Sequence, residues 1–191
     1  MIDALLRFVT WLLGPKTTGN IGEPALLVAA YRLHVPRALL QTLRRIATPR
    51  PGRVEPLAFL RVRFASEESR TVLVGIGVIP FPEEAYVEGH AGANFDSDFA
   101  VDVANREIPE NVGLLLVHSH GGNGMPRFSG IDNWTNREIM GGLATGIDIA
   151  PYGALVLSNT DGHCVVSVAG EMVDVKVVPV PDQLGEFSVT A

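Results

Sequence analysis

Apolar residues between positions 36 and 80 follow first a helical and then an extended pattern. From Arg37 to Ala47 they recur every three or four positions, which predicts an amphipathic helix whose start is favoured by Pro36. Residues 57–64 and 71–80 are rich in branched and aromatic side chains and flank the polar segment 65–70. We therefore expect these two segments to form a β-hairpin.

The second half of the chain alternates between strand-like and helix-like segments. The run 112–117 is continuously apolar, as in a buried strand, and a helix is expected from Ser129 to about Met140. Residues 81–111 predict only a loop insertion with a short helix or strand near 99–103. Because helices and strands interleave without a regular βαβ period, the pattern predicts a mixed α/β domain around one sheet. Further strands are expected at 154–157, 164–168 and 172–180.

The first thirty residues form a region of their own. Apolar residues at helical spacing between Met1 and Gly14 predict a helix that docks on the domain, with a membrane-surface or partner helix as the alternative. The segment 14–24, rich in Gly and Pro, predicts a linker. The apolar stretch is too short to span a bilayer and lacks a basic leader and a cleavage site. We expect residues 31–191 to form the folded domain, with no membrane span and a cytoplasmic location.

Charge and cysteine content argue against several classes of protein. The 191 residues carry a net charge of −6, which argues against nucleic-acid binding because no strongly basic face is implied. The single cysteine, Cys164, excludes an internal disulfide and a multi-cysteine zinc site. Its neighbour His163 would point to the opposite face of a strand, so we expect Cys164 to be a buried structural residue rather than a nucleophile.

The candidate chemistry follows the apolar run 112–117. A period of two places His118 and His120 on one face at the end of that strand, and a Gly-rich loop leads from them to Ser129 and Asp132. Two imidazoles and one carboxylate are a ligand set that leaves a fourth zinc position open. Both halves have an ordinary alternative, because histidines often form only hydrogen bonds and Ser-x-x-Asp is also a helix capping box. An Asp132 oxygen that accepts the capping hydrogen bond is not available as a zinc ligand.

The complete pattern resembles the signature of the JAB/MPN metalloprotease family, also called JAMM. It consists of His118-x-His120, eight intervening residues and Ser129-x-x-Asp132. The Gly-rich loop and the Pro-x-Phe-Ser segment 126–129 are similar to the prokaryotic JAB branch. Two features depart from the family pattern: Gly121 stands where many members have proline, and the loop is one residue longer than the commonest form. Neither departure removes a ligand.

This resemblance implies a fold and a set of roles. The fold would be a single JAB/MPN-like domain over residues 31–191, of α/β (α+β) type, with a central mixed sheet flanked by helices. His118, His120 and Asp132 would hold one catalytic zinc ion with water as its fourth ligand. Ser129 would donate a hydrogen bond to the oxyanion of the tetrahedral intermediate.

The family also requires an upstream glutamate as general base, at the start of a strand that follows the first helix. Glu55 fits best, because it comes after the predicted helix and leads into the apolar segment 57–64. Glu68 is the alternative, since its spacing to the strand residue Gly75 is also found in relatives. A carboxylate in the polar turn around Glu68 is expected to be solvated, so the strand position favours Glu55.

The implied activity is that of a zinc-dependent isopeptidase or peptidase acting at the C-terminal tail of a ubiquitin-like protein. It would process a precursor or release the protein from a target, alongside activating and conjugating enzymes. Two alternatives stay open: a catalytically silent scaffold of MPN type, and a zinc peptidase for small peptides or sulfur-carrier adducts. Tyr86, Phe95 and Phe99, in the 81–111 insertion, are the predicted partner-binding surface.

Overall fold

A computed structural model describes residues 31–49, 55–65, 72–86, 95–107, 111–130, 132, 151–168, 171–182 and 188–189. The predicted N-terminal helix and linker, Glu68, and most of the helix predicted after Ser129 lie outside these residues. Within them, no helix is long and apolar enough to cross a membrane. The elements are β1 Arg32–Pro36, α1 Arg37–Ala47, β2 Ala58–Phe64, β3 Val72–Pro80, α2 Ser97–Glu107, β4 Gly113–Ser119, β5 Tyr152–Leu157, β6 Gly162–Val168, β7 Glu171–Val180 and β8 Ser188–Val189.

Several local predictions are confirmed by these elements. Helix α1 has the predicted bounds and follows Pro36, whose φ of −52° suits the start of a helix. The hairpin is also present, since β2 and β3 pair antiparallel along their whole length. Strand β1 was not predicted, because five residues that include His34 and Pro36 carry too little alternation to be recognised.

The strands close into a barrel. Neighbouring strands follow the order β1-β7-β6-β5-β4-β2-β3, and β3 pairs back with β1, while β8 adds to the second half of β3. The prediction of a central mixed sheet flanked by helices, as in a JAB/MPN-like α/β domain, is therefore wrong. Closure gives every barrel strand a neighbour on both sides, so none of them is an open edge of the sheet. Besides the helical residues Gly130 and Asp132, the described residues contain only α1 and α2 as α-helices.

The inner core lies inside the barrel and receives side chains from all seven of its strands. In β4 the alternation is clear: Leu115 and Val117 point into this core, whereas Leu114 and Leu116 point outward. Helix α1 completes the inner core. Its buried residues are Leu39, Leu40, Leu43 and Ala47.

An outer core lies between α2 and the outward faces of β2 to β5. Phe81 is at its centre, with ring centroids 4.9 Å from Phe59 and 4.8 Å from Phe99. The outward face of β4 continues from this core to His118, two residues beyond Leu116. The candidate site therefore begins where the outer apolar core ends.

Candidate metal centre

His118 and His120 lie at the carboxyl end of β4 with their ring nitrogens facing each other. Their Nε2 atoms are 3.2 Å apart. The side chain of His118 is 6% exposed and that of His120 is 35% exposed. Between them, Ser119 Oγ donates a hydrogen bond of 3.0 Å to the carbonyl oxygen of Leu157, which joins the end of β4 to β5. The histidines share one face, as the alternation predicted.

A loop rich in glycine turns the chain back after His120. Gly121, Gly122 and Gly124 have φ values of 64°, 66° and 86°. A side chain with a Cβ disfavours this left-handed region, so glycine at these positions allows the turn. The loop leads to Ser129, and the residues that follow begin a helix.

Asp132 reaches the two histidines from the first turn of that helix. Its Oδ1 lies 3.4 Å from Nε2 of His118, and its Oδ2 lies 3.3 Å from Nε2 of His120. The capping box is also present, because the Ser129 N–H donates to Asp132 Oδ2 at 2.6 Å and the Asp132 N–H donates to Ser129 Oγ at 3.2 Å. The capping hydrogen bond uses Oδ2 of Asp132, and Oδ1 takes no part in it. One carboxylate can therefore cap the helix and bind a metal.

The pairing of β2 with β4 brings Glu55 to the histidines. The antiparallel register pairs Ala58, the first residue of β2, with Val117, so the residues just before β2 lie beside the end of β4. One carboxylate oxygen of Glu55 and one ring nitrogen of each histidine all lie within 4.8 Å of one another. Glu55 is thus beside the site, while its role as general base stays a prediction.

Burial and neighbouring groups shift the pKa values of three site residues. Burial lowers the pKa of His118, which favours the neutral imidazole that binds metals. Burial acts to raise the pKa of Asp132, but hydrogen bonding to Ser129 and the nearby histidines outweigh it and hold this pKa below its ordinary value. Burial, with a smaller contribution from Asp132, raises the pKa of Glu55 against the influence of His120. The Asp132 carboxylate is therefore ionised, and Glu55 holds a proton more readily than a solvated glutamate.

The spacing of the donor atoms fits a tetrahedral zinc ion. Zinc bonds of about 2.0–2.1 Å at tetrahedral angles place neighbouring donors about 3.3–3.4 Å apart. The Nε2 atoms of His118 and His120 are 3.2 Å apart, and each lies close to a different oxygen of Asp132, His118 at 3.4 Å from Oδ1 and His120 at 3.3 Å from Oδ2. Two imidazoles and one carboxylate are also a common ligand set for catalytic zinc. These three residues could therefore hold a zinc ion and leave one position for water.

Ser129 lies beside Asp132 and is exposed to solvent. Its Oγ accepts the hydrogen bond from the backbone N–H of Asp132. A serine hydroxyl has one donor and two acceptor positions, so accepting this bond leaves the O–H able to donate to a substrate oxygen. Capping the helix and stabilising an oxyanion are compatible roles for Ser129.

Phe128 and His163 border the site and were not predicted as part of it. The Phe128 ring lies 6.1 Å from the His118 ring and 5.0 Å from the His163 ring. His163 in turn contacts Asp174, with Nε2 2.7 Å from Oδ1. Alternation places His163 on the outer face of β6, but no local pattern indicates that β6 lies two strands from β4. Cys164 points into the inner core and is fully buried, as expected.

No family model matches this chain, and no curated protein is similar to it. The JAB/MPN resemblance therefore stays a prediction that rests on the motif of histidines, serine and aspartate. The closed barrel contradicts the fold which that resemblance implied. What supports a function is the chemistry of the residues that the fold brings together.

Proposed function

We propose that this chain is a zinc-dependent peptidase or isopeptidase that hydrolyses the amide bond at the C-terminal tail of a ubiquitin-like protein. The proposal is carried by the convergence of His118, His120 and Asp132, whose donor atoms are 3.2–3.4 Å apart, with Glu55 beside them. The substrate class follows from the resemblance of the motif to the prokaryotic JAB branch. Activating and conjugating enzymes are the proposed partners.

The chain's own residues divide the chemistry among them. His118, His120 and Asp132 would hold the metal, and a zinc ion in such a site lowers the pKa of a bound water to about 7. Glu55 accepts a proton as the water oxygen attacks the carbonyl carbon, and its raised pKa suits this task. Ser129 donates a hydrogen bond to the carbonyl oxygen as negative charge develops there. When the C–N bond breaks, Glu55 delivers the proton to the departing amine.

Metal analysis and cleavage assays on the same preparations test this proposal. The full chain is purified as wild type, Glu55→Gln, Asp132→Asn, Ser129→Ala and Glu68→Gln. Zinc content is measured, and two probes are offered: a fusion of a ubiquitin-like protein ending in Gly-Gly to a reporter protein, and a Gly-Gly peptide carrying a coumarin amide. Asp132→Asn keeps an acceptor for the Ser129 N–H, so it separates loss of the ligand charge from loss of the cap.

The expected pattern differs for each variant. Wild type holds about one zinc per chain and cleaves the fusion, and Asp132→Asn loses both properties. Glu55→Gln retains zinc and loses turnover, Ser129→Ala retains zinc and loses about 100- to 1,000-fold in rate, and Glu68→Gln is unchanged.

A wild type without zinc overturns the proposal and favours a scaffold. Zinc without cleavage of the fusion overturns the substrate class, and cleavage of the peptide probe alone points to a small-peptide peptidase. Inactivity of Glu68→Gln with an active Glu55→Gln reassigns the base.

A further inference from the structure

Hydrogen bonds join the Gly-rich loop to the turn between β5 and β6. Ser158 Oγ donates a hydrogen bond of 2.7 Å to the carbonyl oxygen of Gly124, and the Gly124 N–H donates one of 2.9 Å to Thr160 Oγ1. The Asn159 N–H donates to the carbonyl oxygen of Gly122 at 2.9 Å. Both backbone groups of Gly124 are thus held by side chains of one turn.

Ser158 is the centre of this turn and is buried although it is polar, with 3% exposure. Its Oγ accepts hydrogen bonds from the N–H groups of Asp161 at 2.9 Å and Thr160 at 3.3 Å while it donates to Gly124. Its carbonyl oxygen accepts a bond of 3.2 Å from Arg44 Nε in α1. The hydroxyl therefore uses its donor and both acceptor positions. Its removal would take this partner from three backbone groups in part-buried hydrogen bonds, which is costly.

The fastened loop leads directly to the third candidate ligand. Pro126 is buried and the ring of Phe128 packs between two histidines, after which Ser129 and Asp132 form the capping box. Among the described residues, the glycines with left-handed φ values are Gly121, Gly122 and Gly124, and they lie between His120 and this anchored part. Glycine loses more conformational freedom than other residues when it becomes ordered. Hydrogen bonds to these glycines therefore have the largest effect on the conformation of the loop.

We propose that Ser158 is a positioning residue for the metal centre, which sets zinc affinity by fixing Gly124 and thereby the placement of Asp132. This inference rests on the proposed zinc site. In the folded chain the loop is already ordered before zinc binds, so the entropy cost of ordering it does not lower the zinc affinity. Without the Ser158 hydroxyl, Asp132 would be in position for only part of the time, and the apparent affinity falls by that fraction.

Zinc affinity of full-length variants, measured by competition with a chromophoric chelator at pH 7, tests this role without any substrate. Ser158→Ala removes the central hydroxyl. Thr160→Val removes the bond from the Gly124 N–H, together with the exposed bond that Thr160 Oγ1 donates to Asp161 Oδ2, and Thr160→Ser retains that hydroxyl. Val175→Ala, in the inner core on β7, is the matched control because it lowers overall stability away from the loop. Thermal melting of each variant is recorded alongside.

Ser158→Ala is expected to bind zinc about 10- to 100-fold more weakly, the range typical of groups that orient metal ligands. Thr160→Val is expected to lose about 3- to 10-fold, which corresponds to one hydrogen bond, and Thr160→Ser to match wild type. Val175→Ala should melt at a lower temperature with zinc affinity unchanged. Equal affinity of wild type, Ser158→Ala and Thr160→Val overturns this inference alone. If Ser158→Ala does not fold, Thr160→Val decides. A wild type that binds no zinc overturns the proposed function as well.

Discussion

The hydroxyl oxygen of Tyr86 accepts a hydrogen bond of 2.8 Å from the backbone N–H of Leu57. The carbonyl oxygen of Leu57 accepts another, of 3.1 Å, from the N–H of Phe81. The segment from Phe81 to Tyr86 therefore holds Leu57, which immediately precedes β2 and lies two residues after Glu55. The rings of Tyr86 and Phe95 pack against Phe81 at 6.2 and 5.2 Å, so these contacts give them a structural role. Their predicted role in binding a partner is untested.

Replacing Tyr86 by phenylalanine should lower the free energy of unfolding by about 1–3 kcal/mol, because the part-buried N–H of Leu57 loses its acceptor. Tyr152→Phe is the matched control in the same outer core. Among the described residues, the Tyr152 hydroxyl has no hydrogen-bond partner, so its removal should change stability little. Urea denaturation of both variants measures the difference. Equal losses would show that the Tyr86 hydroxyl contributes no more than an unpaired one.

Zinc should raise the melting temperature of wild type and leave Asp132→Asn nearly unaffected. A ligand that binds only the folded state, at 100 times its Kd, stabilises by about 2.7 kcal/mol. For a domain of this size that corresponds to a shift of about 5–10 °C. Differential scanning fluorimetry with zinc and then with EDTA checks the effect. Magnesium serves as the control ion, and an equal shift with magnesium would contradict a site built from imidazoles.

Gly153→Ala should destabilise the barrel by about 3 kcal/mol, at the upper end of overpacking effects. A Cβ at this position in β5 would lie 2.0 Å from the carbonyl oxygen of Val165 in the neighbouring strand β6. Gly130→Ala is the opposite case, because a Cβ there meets nothing within 4 Å and the residue is helical. It should stabilise by about 0.4–1 kcal/mol. Chemical denaturation of the two variants should therefore give changes of opposite sign.

Cys164 should resist alkylation by iodoacetamide in the folded protein from pH 7 to pH 9. It is fully buried in the inner core, and burial raises the pKa of its thiol, so the reactive thiolate does not form over this range. In urea the thiol should become reactive, and more so as the pH rises through the ordinary value of about 8.5. Mass spectrometry of the alkylated chain measures both states. Rapid labelling without denaturant would contradict the buried position.

The site could be predicted from the sequence further than the fold could. Alternation along β4 is a local property, so the shared face of His118 and His120 follows from the pattern. The capping box is equally local and is present at Ser129 and Asp132. The Asp132 carboxylate contacts both histidines and also caps the helix. This arrangement depends on how the Gly-rich loop folds back over β4, and no short-range pattern specifies the path of the loop.

The choice between Glu55 and Glu68 shows the same limit. Its position before a strand favours Glu55, but only the antiparallel pairing of β2 with β4 brings the segment before β2 close to the histidines. Strand pairing brings together segments that are far apart in sequence, and the residues of one strand do not specify which strand it pairs with. Ser158 illustrates the point again, because its turn sequence predicts a turn without indicating that it holds Gly124.

The sequence by itself determined helix α1, the β2–β3 hairpin and the residues of the candidate site, because each depends on neighbours in the chain or on side-chain chemistry. Tertiary structure alone decided that the strands close into a barrel. Closure requires β1, whose short segment has no clear alternation, to pair with β3 and with β7 near the other end of the chain. The energy that favours this pairing comes from a common inner core supplied by seven strands and α1, and no single segment contains it.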